Sequence, residues 1–206
     1  MTSISIIGSG KMSGAIAEVA VRAGVGIQII KRSPTSPSAV RPDIEHGVMG
    51  DELTGDLVVL AVPYGAYAGI LEHYRDQLAT KVIIDISNPI DFSTYDRLRS
   101  PADSSTAAEL AKQLPDGVAV VKAFNVNLGD TLTSGTNGVT PTTVLYAGDY
   151  ADAKMQIAEL IEASGMRAVD AGPLTRAREL EAMGFLQIIM ASLGKTRYES
   201  GFALLP

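Results

Sequence analysis

Three small residues near the start of the chain have the spacing of a loop that binds phosphate. Gly8, Gly10 and Ser13 occupy the fixed positions of a G-x-G-x-x-G string, with serine in the third place. Gly8 would allow a tight turn after a strand, and Gly10 would let a diphosphate approach bare backbone. Serine is small enough for the close packing that the third glycine normally serves. We predict that a dinucleotide diphosphate binds the free N–H groups where the helix over residues 11–23 begins.

Three residues that could bind another phosphate follow the second predicted strand. Lys31, Arg32 and Ser33 stand here, whereas NAD-binding proteins carry an acid that accepts hydrogen bonds from the ribose 2′-hydroxyl. The guanidinium of Arg32 can pair with a phosphate through two hydrogen bonds, Lys31 adds a positive charge, and Ser33 adds a hydroxyl donor. Two basic residues after a strand also occur in solvated loops. Their spacing from the glycines favours a 2′-phosphate site, and hence NADP rather than NAD.

The ends of three later predicted strands should open onto the same crevice, because ligands bind beyond the carboxyl ends of a doubly wound sheet. Ala61, Val62 and Pro63 end one of them and would line the cofactor with apolar groups. Tyr64 and Tyr67 lie at the start of the helix that follows. One of the two rings could cover the nicotinamide or the adenine, although a half-buried tyrosine in a helix is the commoner arrangement.

Two asparagines follow the other two strands. Asn88 and Asn125 could bond to the nicotinamide carboxamide, a ribose hydroxyl or a substrate carbonyl, or they could satisfy their own turns. Lys122 is the one cation at a strand end near this centre. It could polarise a substrate, or it could form an ion pair with Asp85 on the adjacent strand. The sequence leaves these alternatives open.

The groups that normally donate a proton in carbonyl reductases are absent from these positions. The sequence has no Tyr-x-x-x-Lys spacing, and no histidine stands at a predicted strand end. His73 falls in the middle of a predicted helix beside Glu72, which is typical of solvated surface. We therefore predict no dedicated catalytic acid or base. A hydride acceptor that needs no positioned acid fits this set of residues best, with binding and orientation supplying most of the catalysis.

Strands and helices alternate along the chain, which predicts an α/β fold: a Rossmann-like, doubly wound, mainly parallel sheet with a C-terminal helical segment. The predicted strands cover residues 4–7, 27–30, 57–62, 82–86, 118–121, 143–146 and 166–169. The predicted helices cover residues 11–23, 64–78, 106–114, 150–163 and 174–193. Between residues 33 and 51, Pro34, Pro37 and Pro42 exclude a long helix, so we expect an irregular loop beside the adenine end of the cofactor.

We expect two parts, an NADP-binding Rossmann domain over residues 1–173 and a C-terminal helical segment over residues 174–206. The last predicted helix carries apolar residues on more than one face, among them Leu180, Leu186 and Leu193. Such a helix is usually buried against another element or a second subunit. The sequence does not separate packing on the Rossmann domain from packing on the partner in a homodimer, which we expect the chain to form.

Composition excludes several classes of function. The chain of 206 residues carries a net charge of −6, so its surface should repel nucleic acid and anionic lipid. It has no cysteine, which excludes disulfides, thiolate catalysis and cysteine-bound metal. Its two histidines have no metal-ligand spacing, and we predict no metal site. No apolar run is long enough to cross a bilayer and no leader precedes the first strand, so we expect a cytoplasmic protein without a membrane partner.

Six short strings, taken in order, resemble the NADPH-dependent F420 reductase family, also called coenzyme F420:NADP oxidoreductases. The strings are Gly8-Ser9-Gly10-Lys11-Met12, Ala61-Val62-Pro63, Ser87-Asn88-Pro89, Val121-Lys122-Ala123-Phe124-Asn125, Ala147-Gly148-Asp149 and Val169-Asp170-Ala171-Gly172-Pro173-Leu174. The resemblance extends to the cytosolic domains of STEAP-type metalloreductases and to the N-terminal domain of pyrroline-5-carboxylate reductases. It implies direct hydride exchange between the nicotinamide C4 and C5 of a deazaflavin, stacked face to face, with no side-chain acid.

The resemblance also assigns roles to residues that match its strings. Residues 9–12 would hold the diphosphate, Lys31 and Arg32 the 2′-phosphate, residues 62–64 the nicotinamide half, and residues 88–90 the deazaflavin ring. The predicted cofactor-binding residues are Gly8, Ser9, Gly10, Lys11, Met12, Lys31, Arg32, Ser33, Ala61, Val62, Pro63, Tyr64, Asn88, Pro89, Ile90, Ala123 and Asn125.

These observations favour an NADP(H)-dependent oxidoreductase that passes hydride to or from coenzyme F420 or a flavin-like acceptor. Tyr64 stands where archaeal members of the family often carry tryptophan, and Asn88 and Asn125 are more polar than the usual pocket. Two alternatives stay open. One is an NADPH-dependent reductase of imines or other small molecules, and the other is a non-catalytic protein that senses NADP.

Overall fold

The computed structural model describes residues 3–34 and 43–204. Its strands, in chain order, are β1 (Ser3–Ile7), β2 (Gly26–Lys31), β3 (Ile44–Val48), β4 (Leu57–Leu60), β5 (Val82–Asp85), β6 (Val120–Ala123), β7 (Thr136–Asn137), β8 (Thr140–Pro141), β9 (Thr143–Gly148) and β10 (Arg167–Asp170). The helices are α1 (Lys11–Ala23), α2 (Tyr67–Leu78), α3 (Thr106–Ala111), α4 (Gly129–Ser134), α5 (Ala151–Ala163) and α6 (Ala177–Ser192). Short 3₁₀ turns, Tyr64–Ala66 and Leu174–Arg176, lead into α2 and α6.

Eight of these strands form one sheet in the order β10-β9-β6-β5-β4-β1-β2-β3. Neighbouring strands are parallel except for the antiparallel pair of β6 and β9. The chain runs outward from β1 through β2 to β3 and then returns to β4 on the other side of β1. Strand order therefore reverses at β1, which is where a doubly wound sheet opens a crevice. The predicted Rossmann-like, mainly parallel sheet is confirmed.

Helices cover both faces of the sheet, so its central strands are buried on both sides. Ile6 and Val59 pack in one core with residues of α1 and α5. Their chain neighbours Ile7 and Val58 point to the opposite face and pack with residues of α2 and α3. Each of these side chains is fully buried and contributes roughly 1.5–3 kcal/mol through the hydrophobic effect. This packing holds the carboxyl ends of β1 and β4 at fixed positions.

Four elements were not predicted: β3, α4 and the two-residue strands β7 and β8. β3 lies in the segment expected to be an irregular loop, and it pairs with β2 from Ile27 opposite Ile44 onward. The expectation was wrong because β3 is an edge strand in which only Ile44 is buried, so it lacks the apolar run of a central strand. Pro37 and Pro42, on which that expectation partly rested, lie outside the described residues. The six-residue helix α4 has too few turns to show a helical apolar pattern.

The last helix packs on the carboxyl ends of the strands along one face only. Ala177, Leu180 and Gly184 lie on its buried stripe, which also includes the polar Glu181 and Gln187. Leu186 and Leu193 are exposed. Within residues 3–34 and 43–204, no helix combines the length and the apolar character that crossing a bilayer requires.

Candidate functional site

A cleft of about 620 Å³ lies at the point where the strand order reverses. The carboxyl ends of β1, β2 and β4, the turn after β3 and one side of α2 form its walls. Its lining residues are Ile7, Gly8, Ser9, Gly10, Ile30, Arg32, Met49, Ala61, Val62, Pro63, Gly65, Ala66, Gly69, Ile70 and His73. A volume of this size is typical of pockets for small molecules and cofactors.

Gly8 joins the ends of three strands and has a conformation that only glycine adopts easily. Its φ is +129°, and a Cβ atom at this position would lie 2.3 Å from the carbonyl oxygen of Ala61. Its N–H donates to the carbonyl of Ile30 at 2.9 Å. The tight turn predicted after β1 is therefore present, and it brings the backbone of β1, β2 and β4 together at the cleft.

Gly10 caps the N-terminus of α1 without a side-chain hydrogen bond, and no acid stands in the first helical turn. A Cβ atom on Gly10 would meet no other atom within 4 Å, so the space beside it is open. Ser13, in place of the third glycine, is buried and its hydroxyl donates to the carbonyl of Gly8 at 2.8 Å. Open space at a helix N-terminus that no side chain caps fits a phosphate group, because the first N–H groups of a helix carry partial positive charge.

Lys31, Arg32 and Ser33 lie at the end of β2, at the edge of the cleft. Arg32 is exposed and lines the cleft, while Lys31 and Ser33 are half-buried beside it. Within the described part of the chain, Arg32 forms no ion pair, and no described residue in the cleft wall carries a carboxylate. The carbonyl of Lys31 accepts the N–H of Met49 at 2.8 Å, which brings the turn after β3 to the same end of the cleft. These residues fit an anionic group.

The opposite end of the cleft is apolar. Ala61, Val62 and Pro63 line it directly after β4. Tyr64 follows but is not among the lining residues, and its half-buried ring meets Tyr67 edge-on with 5.4 Å between ring centroids. Burial raises the pKa of Tyr64, and nearby carboxylates raise it further. Tyr64 therefore stays neutral at physiological pH.

A buried set of polar side chains, here called the Lys122 cluster, lies behind the ends of β5 and β6. Its members are Lys122, Asp85, Glu181, Thr106 and Tyr67. The ammonium of Lys122 is fully buried, 3.0 Å from a carboxylate oxygen of Asp85 and 2.9 Å from one of Glu181. Of the two alternatives for Lys122, the ion pair with Asp85 is confirmed. Glu181, contributed by α6, is a partner that the sequence did not indicate.

Tyr67 is also held within the Lys122 cluster. Its hydroxyl donates to Oδ1 of Asp85 at 2.5 Å, and burial followed by the charge of Asp85 raises the pKa of Tyr67 well above its ordinary value. Burial opposes the ionisation of Asp85, but Lys122 and the hydrogen bond from Tyr67 outweigh it and lower the pKa of Asp85. Both the phenol and the ammonium are thus committed to internal partners.

Asn88 and Asn125 bind each other. The amide of Asn88 donates to the carbonyl of Asn125 at 2.7 Å, and the amide of Asn125 donates to Oδ1 of Asn88 at 2.9 Å and to the carbonyl of Leu180 at 2.8 Å. Phe124, between β6 and Asn125, has the left-handed φ of 62°, which is uncommon for a buried aromatic residue. A Cβ atom on Gly184 would lie 2.5 Å from Oδ1 of Asn88, so glycine lets α6 pack against this pair.

The structure brings together only part of the predicted set. Those that line the cleft are Gly8, Ser9, Gly10, Arg32, Ala61, Val62 and Pro63. Lys11 points along α1 toward α4, where it forms an ion pair with Asp130 at 2.8 Å, and Met12 lies near Gly129. Pro89, Ile90, Ala123 and Asn125 are buried at the ends of β5 and β6, outside the cleft wall. Binding by any of these residues stays a prediction.

Eight lining residues were not predicted: Ile7, Ile30, Met49, Gly65, Ala66, Gly69, Ile70 and His73. His73 is exposed, as expected, but it faces the cleft rather than open surface. Gly65 and Gly69, four residues apart where a helix begins, carried a signal that could have been noticed. Met49 carried none, because its position depends on the unpredicted strand β3.

Known proteins resemble this chain in sequence. Residues 3–89 match the family described as NADP oxidoreductase, coenzyme F420-dependent. The chain is 31% identical to Metalloreductase STEAP3 of Rattus norvegicus over 186 residues, which are 87% of this chain and 36% of that protein. It is 35% identical to the F420-dependent NADP reductase of Methanothermobacter thermautotrophicus over 133 residues, which are 62% of this chain and 57% of that protein.

A solved structure has the same fold. A candidate F420-dependent NADP reductase of Arthrobacter sp. FB24 superposes with a TM-score of 0.85 at 23% identity and covers 100% of both chains. The chain thus matches the fold over its full length but spans only about a third of the metalloreductase and little more than half of the archaeal reductase. Residues 3–89, which contain the glycine loop and Arg32 of the cleft, thus resemble the coenzyme F420-dependent NADP oxidoreductases.

Proposed function

We propose that the chain binds NADP(H) in the cleft and exchanges hydride with a deazaflavin or flavin-like acceptor. The observation that carries this proposal is the position of Arg32. It lines the same cleft as Gly8 and Gly10, and no carboxylate is found among the described residues of the cleft wall. A ribose 2′-phosphate is favoured by such a cation and would be repelled by the acid that NAD-binding proteins carry.

The chain would hold the cofactor through backbone N–H groups, through the basic end of the cleft and through its apolar end. Backbone N–H groups at Gly10 and the start of α1 would bind the diphosphate. Arg32 would bind the 2′-phosphate, with Lys31 and Ser33 beside it, and the apolar residues 61–63 would cover the nicotinamide half. When bound, the nicotinamide supplies or accepts the hydride.

The acceptor would lie against the ends of β5 and β6, beside residues 88–90. Lys122 and Tyr67 are buried and bonded to Asp85, so neither is free to protonate a substrate. Tyr64 is half-buried and its raised pKa opposes proton loss. We infer that catalysis rests on orientation rather than on a dedicated acid or base, which suits an acceptor that takes hydride directly. The names of the archaeal relatives support a deazaflavin as that acceptor.

A panel of acceptors tests this proposal. Purified full-length chain is mixed with NADPH and, in parallel, with coenzyme F420, FMN, a ferric chelate or a cyclic imine, and the loss of NADPH absorbance is followed. We expect turnover with the deazaflavin or the flavin and none with the imine. Turnover with the imine alone would establish the small-molecule reductase instead. Tight NADPH binding without turnover on any acceptor would support the NADP-sensing protein and contradict catalysis.

We also propose that the chain forms a homodimer through α6 and acts in the cytoplasm. The exposed Leu186 on α6 and Leu193 directly after it support the dimer, because they would be buried by a second copy. In this proposal residues 1–173 form the NADP-binding domain and residues 174–206 form the segment that meets the partner. Sedimentation equilibrium of the wild-type chain and of a Leu186→Lys variant separates a dimer from a monomer.

A further inference from the structure

One side of α2 forms a wall of the cleft that no predicted binding residue occupies. Gly65, Gly69 and His73 follow one another at intervals of four, and Ala66 and Ile70 lie beside them. This spacing places the five residues on one side of the turn and helix. Near Pro63 this wall carries no side chains at Gly65 and Gly69, and at the far end of the cleft it ends with the imidazole of His73.

The bare part of this wall is not required by the packing of the protein. A Cβ atom added to Gly65 or to Gly69 would meet no other atom within 4 Å. Glycine within a helix costs up to about 1 kcal/mol relative to alanine, and Gly69 is the third residue of α2. The protein therefore carries a cost in helix stability at Gly69 that no internal contact offsets. Space for a ligand along α2 accounts for it.

Contacts of the neighbouring residues fix where His73 lies along the cleft. Tyr74 is fully buried, and its hydroxyl accepts the N–H of Gly50 at 2.8 Å. Met49, one residue earlier, donates its N–H to the carbonyl of Lys31 at 2.8 Å. This turn of α2 therefore packs against the ends of β2 and β3. His73 belongs to the same end of the cleft as Arg32.

The side chains at that end suit a flat aromatic group with polar edges. Ile30, Met49 and Ile70 are apolar, whereas Arg32 and His73 are planar and polar. An imidazole can stack on a purine or bond to its edge, while the guanidinium of Arg32 would pair with the phosphate beside it. The base attached to the ribose that Arg32 would recognise through its 2′-phosphate is the adenine, and the nicotinamide would lie on the other side of the turn at Gly8 and Gly10.

We propose that His73 contacts the adenine of the dinucleotide, as a binding residue separate from the 2′-phosphate site. This inference rests on the proposed binding of NADP(H) in the cleft. It assigns His73 to a group that NADPH and NADH share, and Arg32 to the group that distinguishes them. The bare helix face at Gly65 and Gly69 then gives the dinucleotide room to pass along α2 from the adenine to the nicotinamide.

Binding of four probes to His73→Ala and Arg32→Ala separates the two roles. Isothermal titration measures NADPH, NADH, 2′,5′-ADP and nicotinamide mononucleotide with each variant and with the wild type. We expect His73→Ala to weaken NADPH, NADH and 2′,5′-ADP by the same factor, about three- to tenfold as for a lost stacking contact, and to leave the mononucleotide unchanged. Arg32→Ala should weaken NADPH and 2′,5′-ADP only. Glu72→Ala, exposed on the same helix but outside the cleft wall, is the matched control.

Three results would overturn the role of His73. Loss of affinity for NADPH without loss for NADH would assign His73 to the 2′-phosphate. Weaker binding of the mononucleotide would assign it to the nicotinamide half. Unchanged binding of all probes would remove it from the site. If the wild-type chain bound neither dinucleotide, the proposed function itself would fail, which is a different outcome from a wild type that binds and a variant that binds equally well.

Filling the bare wall provides an independent measurement. Gly69→Leu introduces a good helix former whose side chain would occupy the cleft, and Ala68→Leu places the same side chain at the adjacent exposed position outside the wall. We expect neither variant to lower the melting temperature. Gly69→Leu should lose at least tenfold in affinity for NADPH and NADH, and Ala68→Leu should bind both normally. Equal binding by the two variants would show that no ligand runs along α2.

Discussion

At the scale of single residues, Arg32 is the feature that defines the site, because the described residues of the cleft wall include no acid. Arg32 shares the cleft with the uncapped N-terminus of α1, and no described residue in the cleft wall carries a negative charge. The chain as a whole carries a net charge of −6. A local positive field on an acidic protein attracts an anionic ligand to this place rather than to the general surface.

Replacement of Arg32 by alanine measures that local charge. We expect Arg32→Ala to weaken NADPH by about 1–3 kcal/mol, the value of a hydrogen bond to a charged group, and to leave NADH nearly unchanged. Arg75→Ala, which removes an exposed cation from α2 outside the cleft wall, should change neither affinity. Equal losses for NADPH and NADH in Arg32→Ala would place the 2′-phosphate elsewhere.

The glycine loop and Arg32 were predictable because each carries its signal locally. A turn with positive φ after a strand requires glycine, as at Gly8, and Arg32 follows β2 directly, at the strand end that a doubly wound sheet turns toward its crevice. His73 and Met49 could not be predicted. Their place in the cleft depends on the packing of α2 against the end of β3, which the hydrogen bond between Gly50 and Tyr74 shows. This packing joins distant parts of the chain, so no short sequence motif predicts it.

At the scale of elements, the Lys122 cluster ties the last helix to the sheet. Asp85 lies on β5, Lys122 on β6, Thr106 on α3 and Glu181 on α6. All four are fully buried or nearly so, and one oxygen of Glu181 accepts from both Lys122 and Thr106. Removing one partner of a buried ion pair leaves an uncompensated charge, which costs far more than loss of an exposed pair. The cluster therefore fixes α6 over the strand ends.

We expect Lys122→Met to lower the free energy of unfolding by about 3–5 kcal/mol, because two buried carboxylates lose their counterion. Lys112→Met, which breaks an exposed ion pair with Glu109 on α3, should barely change stability. Urea denaturation measures both variants. A stability of Lys122→Met equal to that of Lys112→Met would mean that the buried pair does not hold the fold.

The contribution of Asp85 to the pH dependence of stability should have opposite signs in the wild type and in Lys122→Met. In the wild type, burial opposes the ionised form of Asp85 but Lys122 outweighs it and lowers the pKa of Asp85. The ionised carboxylate then stabilises the fold above the ordinary value near 4, and this contribution is lost as pH falls below it. Without Lys122, burial raises the pKa of Asp85, so the variant should lose stability as pH rises from about 4 to 7. Urea midpoints across this range test the reversal.

Most elements of this chain were predictable from their apolar pattern, whereas β3, β7, β8 and α4 were not. β4 and β5 are continuous apolar runs, and α1 has a buried stripe at helical spacing, so each showed its period in the sequence. The edge strand β3 and the helix α4 are too polar or too short to do so. The role of Glu181 was also not predictable. The sequence shows an acid in an apolar helix, but its partner Lys122 is known only once α6 is placed on the ends of β5 and β6.

At the scale of the whole molecule, the sheet order divides the site into two halves. β2 and β3 lie on one side of β1 and carry Arg32 and the turn at Met49, while β4, β5 and β6 lie on the other and carry residues 61–63 and the asparagine pair. A dinucleotide across β1 would therefore have its phosphate-bearing adenosine on one side and its reactive ring on the side that α6 closes. In the function proposed above, the acceptor would approach over β5 and β6.

The central claim is that this cleft is built for NADP(H). The most direct test is isothermal titration calorimetry, which measures the dissociation constants of NADPH and of NADH for the wild-type chain under identical conditions. We predict that NADPH binds about five- to 160-fold more tightly, which corresponds to the roughly 1–3 kcal/mol expected at Arg32. Equal or tighter binding of NADH would contradict the account.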